Sequence, residues 1–519
     1  MRVDSIPSTL RTLRLTLLVG LALAALFILD VHWRFGGHVW ETLKFGIRFG
    51  VTAAERSIAI RPNYIGGHDG QFYYLMSNDP LGSDPETLKV IGVPGYWYQR
   101  VFIPLVIHAI SRTLGFPVTP PVLYHCVQFL MVLIGFGVLV KILIEEGRSA
   151  GWAMTWLLGG ATIPLLFSGL LDPVADSLFI LVLVSWRAQR WKLCIGLLTA
   201  LVLTRESYWL LALGLGAYRF AHNGERRRDL LLISVPLLAP VLVYWACSLR
   251  FGAGLFHWQK SFTASSWGFW EAIQASWQNG DGLRVILLVY SAALMGTVLC
   301  LARKKRAEAL VFLPHAVMYL LLSQYQWEVS GLKFLGPVVL LVIWCAKEFP
   351  RWAATLAAIN LILGGVSAYA YRDTPDLRFE LVTAQTTDYR NWESPANRCE
   401  ELRGRIEIEG KTHRPDPRWL WPALHREFQT VNVRVWNEGS AVWVRSHPYL
   451  PRSLYLTYGW LKDGRSVLEG QRIAMPTRVA AGSAVQGAVE VRLPQPGPYQ
   501  LQFFLAQSGC EKSLLLSPR

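Results

Sequence analysis

Residues 119–143, TPPVLYHCVQFLMVLIGFGVLVKIL, decide the architecture. Between Val122 and Val140 the run has no Asp, Glu, Lys or Arg, and it leaves on Lys141 with Arg148 close behind. A helix needs about 20 apolar residues to cross a hydrocarbon layer about 30 Å thick. A run of this length with a basic exit therefore reads as a membrane span. Working outward, similar stretches stand at 13–32, 152–169, 172–187, 191–204, 207–221, 229–250, 283–301, 308–325, 332–347 and 352–371. Together they predict about eleven spans within residues 1–371, an α-helical polytopic membrane domain. The tail beyond is polar and reads as water-soluble.

Composition agrees. Of 519 residues, 52% are hydrophobic and only 17% charged, against about 25% charged in ordinary globular chains. The net charge of +15 suggests nucleic acid until its distribution is read. Basic residues cluster at the ends of apolar runs: Arg2/Arg11/Arg14, Lys141/Arg148, Arg187/Arg190/Lys192, Arg226–Arg228, Arg303–Arg306 and Lys347/Arg351. Basic residues so placed mark the cytoplasmic side, so nucleic-acid binding is set aside. With the N-terminus inside, eleven spans put every cluster in the cytoplasm and residues 372–519 outside. Two choices support that count. Phe102–Leu114 is short, carries His108 and Arg112, and is taken as an interfacial helix. Ala22-Leu23-Ala24 resembles a signal-cleavage site, but the apolar stretch continues through Leu29, which favours a retained anchor.

The outer side then holds a long first loop, about 34–117, the turns Ser168–Asp172 and Thr204–Ser207, a Trp-rich loop at 251–282, and the turn Gln324–Lys333. The first loop contains Gly66-Gly67-His68-Asp69-Gly70-Gln71-Phe72-Tyr73-Tyr74. Glycines around His68-Asp69 permit a tight backbone that projects the carboxylate. Asp69 is then a general base or a metal ligand, or simply the Asp of an Asp-Gly turn. Asp172 and Asp176 share a helix face at i, i+4. Asp172 is expected to cap that helix, with Pro173 at its first position, which leaves Asp176 as the functional acid. Arg205 is an intramembrane-edge arginine, either a functional residue, since such arginines are costly, or a snorkelling or topology-setting cation, with Glu206 or another acid as its expected partner. His257, Trp258 and Lys260 either line a groove or belong with Trp267, Trp270 and Trp277 to an interfacial aromatic belt.

Asp69-Gly70-Gln71-Phe72-Tyr73-Tyr74, followed by Tyr96-Trp97-Tyr98-Gln99-Arg100 and the Pro104-Leu105 helix, resembles the first loop of bacterial GT-C superfamily glycosyltransferases. These are polytopic membrane enzymes that use polyprenyl-phosphate-linked sugars. The resemblance implies an inverting hexosyl- or pentosyltransferase of the bacterial cytoplasmic membrane, acting on a lipid, glycan or protein acceptor outside. It implies that Asp69 activates the acceptor hydroxyl, and that Arg100, Arg205 and Lys333 hold the donor phosphate. His68, Gln71, Tyr73, Asp176 and Glu206 are implied to meet the acceptor or substrate. Thr204-Arg205-Glu206 looks like an element of the family, whereas Lys333 stands where relatives carry arginine. A divalent metal is compatible with the family and not required by it. Two rivals stay open: a glycan polymerase or ligase using the same kind of donor, and a transporter or flippase. Against the latter, no internal repeat is present and the polar residues gather at one face.

Residues 372–399 read as a linker. From 400 to 519 short alternating stretches, Arg403–Ile408, Val431–Trp436, Leu454–Trp460, Val485–Leu493 and Tyr499–Ala506, predict a β-sandwich. Asp463-Gly464 signals a hairpin. The pattern around Asn437, Trp443, Trp460 and Tyr499 resembles Ig-like modules found beside such transferases. Of seven cysteines, those at 126, 194, 247, 300 and 345 sit on or near apolar runs and read as packing residues. Cys399 and Cys510 in the tail either close one disulfide or remain two thiols.

Overall fold

Pro121 begins the helix Pro121–Glu145, at the position where its missing N–H costs no hydrogen bond. In this computed structural model the described residues are 5–35, 37–45, 52–58, 60, 68–91, 94–160, 162–222, 226–251, 268–278, 282–320, 336–370, 403–412, 428–439, 443, 454–462, 465–469, 473–474, 479–492, 500–507 and 514–516. They fall into two units, one drawn from residues 1–373 and one from residues 374–519.

The first unit is helical. Helix Ser5–Phe35 packs on Pro121–Glu145, which packs on Asp172–Arg187, and that helix packs in turn on Trp191–Thr204. Trp209–His222 lies against Ala307–Leu320 and Arg226–Phe251. Among the described residues four helical stretches, Thr9–His32, Pro121–Glu145, Ser234–Phe251 and Val285–Arg303, are long and apolar enough to cross a membrane. Leucines at 17, 18 and 21 on the first and at 238, 242 and 249 on the third are exposed, as lipid-facing positions are. Helices of this character suggest a membrane protein.

Other expected spans are helical but short. Trp191–Thr204, Trp209–His222 and Ala307–Leu320 have 14 residues each, about 21 Å of rise. Helix length therefore does not by itself establish eleven crossings. The 152–169 stretch breaks into Gly151–Leu157 and Thr162–Phe167. Asn360 seals the break: its carbonyl accepts from Gly160 N–H at 3.0 Å, and its Nδ2 donates to Thr155 O at 2.6 Å. Backbone groups freed by a helix break in an apolar setting need such partners. Phe102–Thr113 forms the expected helix, buried at Ile103, Ile107 and Ser111 and exposed at Leu105.

One end of the bundle is knitted by ions. Arg187, at the end of its helix, pairs with Glu146 at 2.9 Å and with Glu308 at 2.8 Å, and lies over the Trp344 ring. Arg148 donates to the Trp344 and Ile343 carbonyls, and Arg306 pairs with Glu348. Basic clusters widely separated in sequence thus meet at the Arg187 end of helix Asp172–Arg187. Among the expected packing cysteines, Cys194, Cys247 and Cys345 are buried, whereas Cys126 and Cys300 are exposed.

In the second unit the strands are β1 (Gly404–Thr412), β2 (Phe428–Asn437), β3 (Leu454–Lys462), β4 (Arg465–Glu469), β5 (Ile473–Ala474), β6 (Ala484–Arg492), β7 (Gln500–Gln507) and β8 (Leu514–Leu516). One antiparallel sheet runs β1-β2-β6, the other β4-β3-β7-β8 with β5 on β3. Alternation sets which side chains turn inward. Ile406, Val431, Val433 and Val489 from the first sheet share one core with Leu456, Tyr458, Trp460 and Phe503 from the second. The strands β3 and β4 pair on either side of Asp463-Gly464, the expected hairpin. The short strands β5 and β8 carry too few residues to show alternation, and sequence reading missed them. Cys399 and Cys510 lie outside the described residues.

Candidate functional site

The first-loop motif is a helix, Asp69–Asn78, rather than a bare turn. His68 is extended at its cap and donates its backbone N–H to Lys44 O at 3.1 Å. Asp69 becomes the first helical residue, half-buried, where the helix end favours a carboxylate. Gly70 acts through space rather than through an unusual backbone angle. A Cβ there would stand 2.1 Å from the Ser168 carbonyl oxygen, so only glycine lets the helix start press against the Ser168–Asp172 turn. Gly70→Ala is expected to cost about 1–3 kcal/mol by overpacking, read as a lower unfolding midpoint of the purified protein.

One helical turn beyond Asp69, the Tyr73 hydroxyl accepts from Arg100 Nη1 at 2.8 Å. Arg100 closes a short 3-10 turn, Tyr98–Arg100. Its Nε and Nη2 grip the two oxygens of Glu206 at 2.6 and 2.5 Å, and Nη2 also donates to Tyr96 OH at 2.8 Å. The guanidinium lies 4.6 Å from the centre of the Tyr96 ring. All three of its nitrogens therefore donate to protein groups. Such a bidentate, charge-assisted pair is stiff, and it ties the first loop to the turn after helix Trp191–Thr204.

That turn also carries Arg205, whose extended backbone (φ −147°, ψ 103°) interrupts the helical run. The kink sends adjacent charged side chains to different elements. Glu206 goes to Arg100, and Arg205 Nη2 meets Asp172 Oδ1 at 2.9 Å. Sequence reading had Asp172 as a helix cap. In the structure the cap residue is Leu171, with no side-chain capping bond, because a guanidinium is a stronger partner for the carboxylate than a neutral backbone N–H. The other carboxylate oxygen of Asp172 is buried and has no hydrogen-bond partner among the described residues.

Asp176 lies one turn deeper. It accepts from Trp156 Nε1 and Tyr208 OH, both at 3.2 Å. A Cβ at Gly336 would fall 1.9 Å from its Oδ2, so the start of helix Gly336–Trp344 lies directly on this carboxylate. Asp172 and Asp176 thus divide the work differently from expectation: the first faces the charged cluster, and the second is held among neutral donors.

The electrostatics make this one cluster. Burial pushes the Tyr73 phenol up to about 12, with Arg100 and Arg205 pulling the other way and Asp69 and Asp172 adding to the rise. Tyr73 stays a neutral hydroxyl at physiological pH. Burial would raise Glu206 as well, but Arg100 and Arg205 hold it down at about 2. Burial opposes the charge on Arg205, yet Asp172 keeps it above the ordinary arginine range. Asp172 and Glu206 each pair with a guanidinium, and the charge of Asp69 reaches Tyr73 between them.

Of the other expected residues, His68 is half-buried at the cap and Gln71 is fully buried within its helix. Lys333, His257, Trp258, Lys260 and Trp267 lie outside the described residues. Trp270 and Trp277 are exposed on helix Gly268–Gln278. Among the described residues no group of three His, Cys, Asp or Glu side chains is arranged to hold a metal. Sequence reading missed Tyr96, Trp156, Tyr208 and Gly336. The Tyr96-Trp97-Tyr98 aromatic run was a signal for the first and the adjoining Thr204–Ser207 turn for Tyr208, whereas Trp156 and Gly336 sit in apolar stretches where nothing marks them. Comparison with protein-family models, with curated proteins and with solved structures finds no match to this chain.

Proposed function

We propose that the chain is an integral-membrane glycosyltransferase of GT-C type, moving a sugar from a polyprenyl phosphate to an acceptor outside the cytoplasm. In this reading about eleven segments cross a bacterial cytoplasmic membrane, the N-terminus is inside, and the C-terminal Ig-like unit is outside. One observation carries it. The first-loop residues Asp69, Tyr73 and Arg100 converge with Asp172, Arg205 and Glu206 at one end of the bundle. The basic network around Arg187 stands at the other end of the same helix, Asp172–Arg187. A carboxylate-rich centre on one side and a cationic belt on the other is the polarity expected of an enzyme working on the outer face.

The chemistry follows from the groups present. Asp69 takes the proton of the acceptor hydroxyl as its oxygen bonds to the anomeric carbon. The bond from that carbon to the phosphate oxygen breaks, and polyprenyl phosphate leaves with the electron pair. A single displacement inverts the anomeric centre, and the carboxylates stabilise the oxocarbenium character of the transition state. Arg205 meets the departing phosphate. Arg100, whose nitrogens are engaged by Glu206, Tyr73 and Tyr96, shapes the site more than it grips the donor. The open oxygen of Asp172 is suited to accept from a sugar or acceptor hydroxyl.

The test supplies purified protein in nanodiscs with a panel of polyprenyl-phosphate pentoses and hexoses, plus membrane extract as the source of acceptor. Transfer with release of polyprenyl phosphate is expected for one donor. Failure with every donor, by protein shown to be folded, would sink the reading.

A further inference from the structure

The turn that carries Arg205 and Glu206 is held from behind by a residue on an apolar helix. His315, fully buried within Ala307–Leu320, contacts the Ser207 carbonyl through Nδ1 at 3.0 Å. Its ring stacks on Tyr208, with centroids 4.8 Å apart and planes 27° from parallel. Tyr208 is boxed further by Phe179 at 6.0 Å and reaches Asp176 through its hydroxyl. Phe312, on the same helix as His315, closes the box against Phe179 and the imidazole.

The turn needs this support. Residues 205–208 leave one helix in extended conformation, pass through a 3-10 turn at Glu206–Tyr208 and enter the next helix. An irregular backbone in an apolar setting keeps its geometry only where side chains satisfy the groups it frees. Ser207 O is such a group, and His315 supplies its partner. Arg205 is fixed from the front by Asp172 and Glu206 by Arg100, while the next two residues are fixed from behind by His315 and Asp176.

We propose that His315 is a positioning residue: through Ser207 and Tyr208 it sets where Arg205 meets an anionic phosphate group of the substrate. This rests on the proposed glycosyl transfer for the identity of the phosphate, but the positioning itself does not depend on it. Residues that touch no ligand can still change an affinity about 2- to 30-fold through the packed groups they hold, so a buried imidazole with no substrate contact can govern affinity.

The experiment uses the full chain in nanodiscs and two readouts. The first is amide hydrogen exchange across residues 204–210, and the second is affinity for a short-chain polyprenyl phosphate. Three variants separate the roles: His315→Ala removes both contacts, His315→Phe keeps the stack alone, and His315→Asn offers an amide N–H to Ser207 O. His315→Ala is expected to speed exchange in the turn and to weaken binding about 2- to 30-fold. His315→Phe should fall between, and His315→Asn should recover most of both losses. Unchanged exchange in the turn in His315→Ala would overturn the proposal, as would uniform loss of protection over the whole first unit. If wild-type protein does not bind polyprenyl phosphate, the transferase reading fails, and the exchange pattern still decides whether His315 holds the turn.

Discussion

Asp69→Asn is expected to lower the rate of sugar transfer by about 10²- to 10⁴-fold, the range that general base catalysis contributes. The substitution preserves shape. Asparagine has nearly the volume of aspartate and is well tolerated at a helix start, so the Asp69–Asn78 helix should keep its seat against Ser168. What disappears is the ability to take a proton. Donor affinity should change little, because Arg205 and its turn stay in place, so the loss should fall on kcat rather than on KM. Asp69→Glu keeps the base but moves it by one methylene, and it should retain more activity than the amide. Transfer at the wild-type rate by Asp69→Asn would remove Asp69 from the chemistry and leave Asp172, with its unpartnered oxygen, as the acid to test next.

The sequence was informative where periodicity and charge operate and silent where contacts between distant segments decide. Alternation in Val431–Trp436 and Leu454–Trp460 announced strands that form, one in each sheet, but not which strands they pair with. The apolar run 119–143 announced a helix that could have begun nowhere but at its prolines. At the site, Asp69 stood out between its glycines, Arg205 as an arginine at a membrane edge and Glu206 as one candidate partner for it, whereas Arg100 came only from the family resemblance. Their partnerships were not visible. Arg205 had an adjacent acid at 206, yet it pairs with Asp172, because the extended backbone at 205 sends neighbouring side chains to different elements. Arg100 and Glu206 are 106 residues apart in sequence, and no local rule joins them. Asp172 shows the same limit in reverse: the local rule for Asp-Pro at a helix start gave a cap, and the guanidinium of Arg205 from a distant turn overrode it. Gly70 was read for the freedom it gives the backbone and Gly336 not at all, since what each must avoid is an atom supplied by a remote segment.

Glu206→Gln is expected to destabilise the first unit by about 3–5 kcal/mol, the usual cost of stranding one member of a buried ion pair. The guanidinium of Arg100 is 5% exposed and Glu206 is 19% exposed, so water replaces the lost partner poorly. An amide can accept from Arg100 but brings no charge, and its NH₂ would oppose one of the two guanidinium donors that now grip the carboxylate. Replacing both members, Arg100→Met with Glu206→Leu, should recover much of the loss. That recovery would show that the single variant suffers from an uncompensated charge rather than from a missing bond. The pH dependence has a definite sign. Glu206 titrates at about 2 in the folded protein against 4.5 for an ordinary glutamate. Its contribution is therefore complete above about pH 4.5 and declines as the pH falls from there towards 2. Thermal unfolding of wild type and of Glu206→Gln in the same detergent at pH 7, 4.5 and 3 measures this. The gap between them should narrow only below pH 4.5, and a gap that is already closed at pH 7 would mean that the Arg100–Glu206 pair does not hold the first loop to the Arg205 turn.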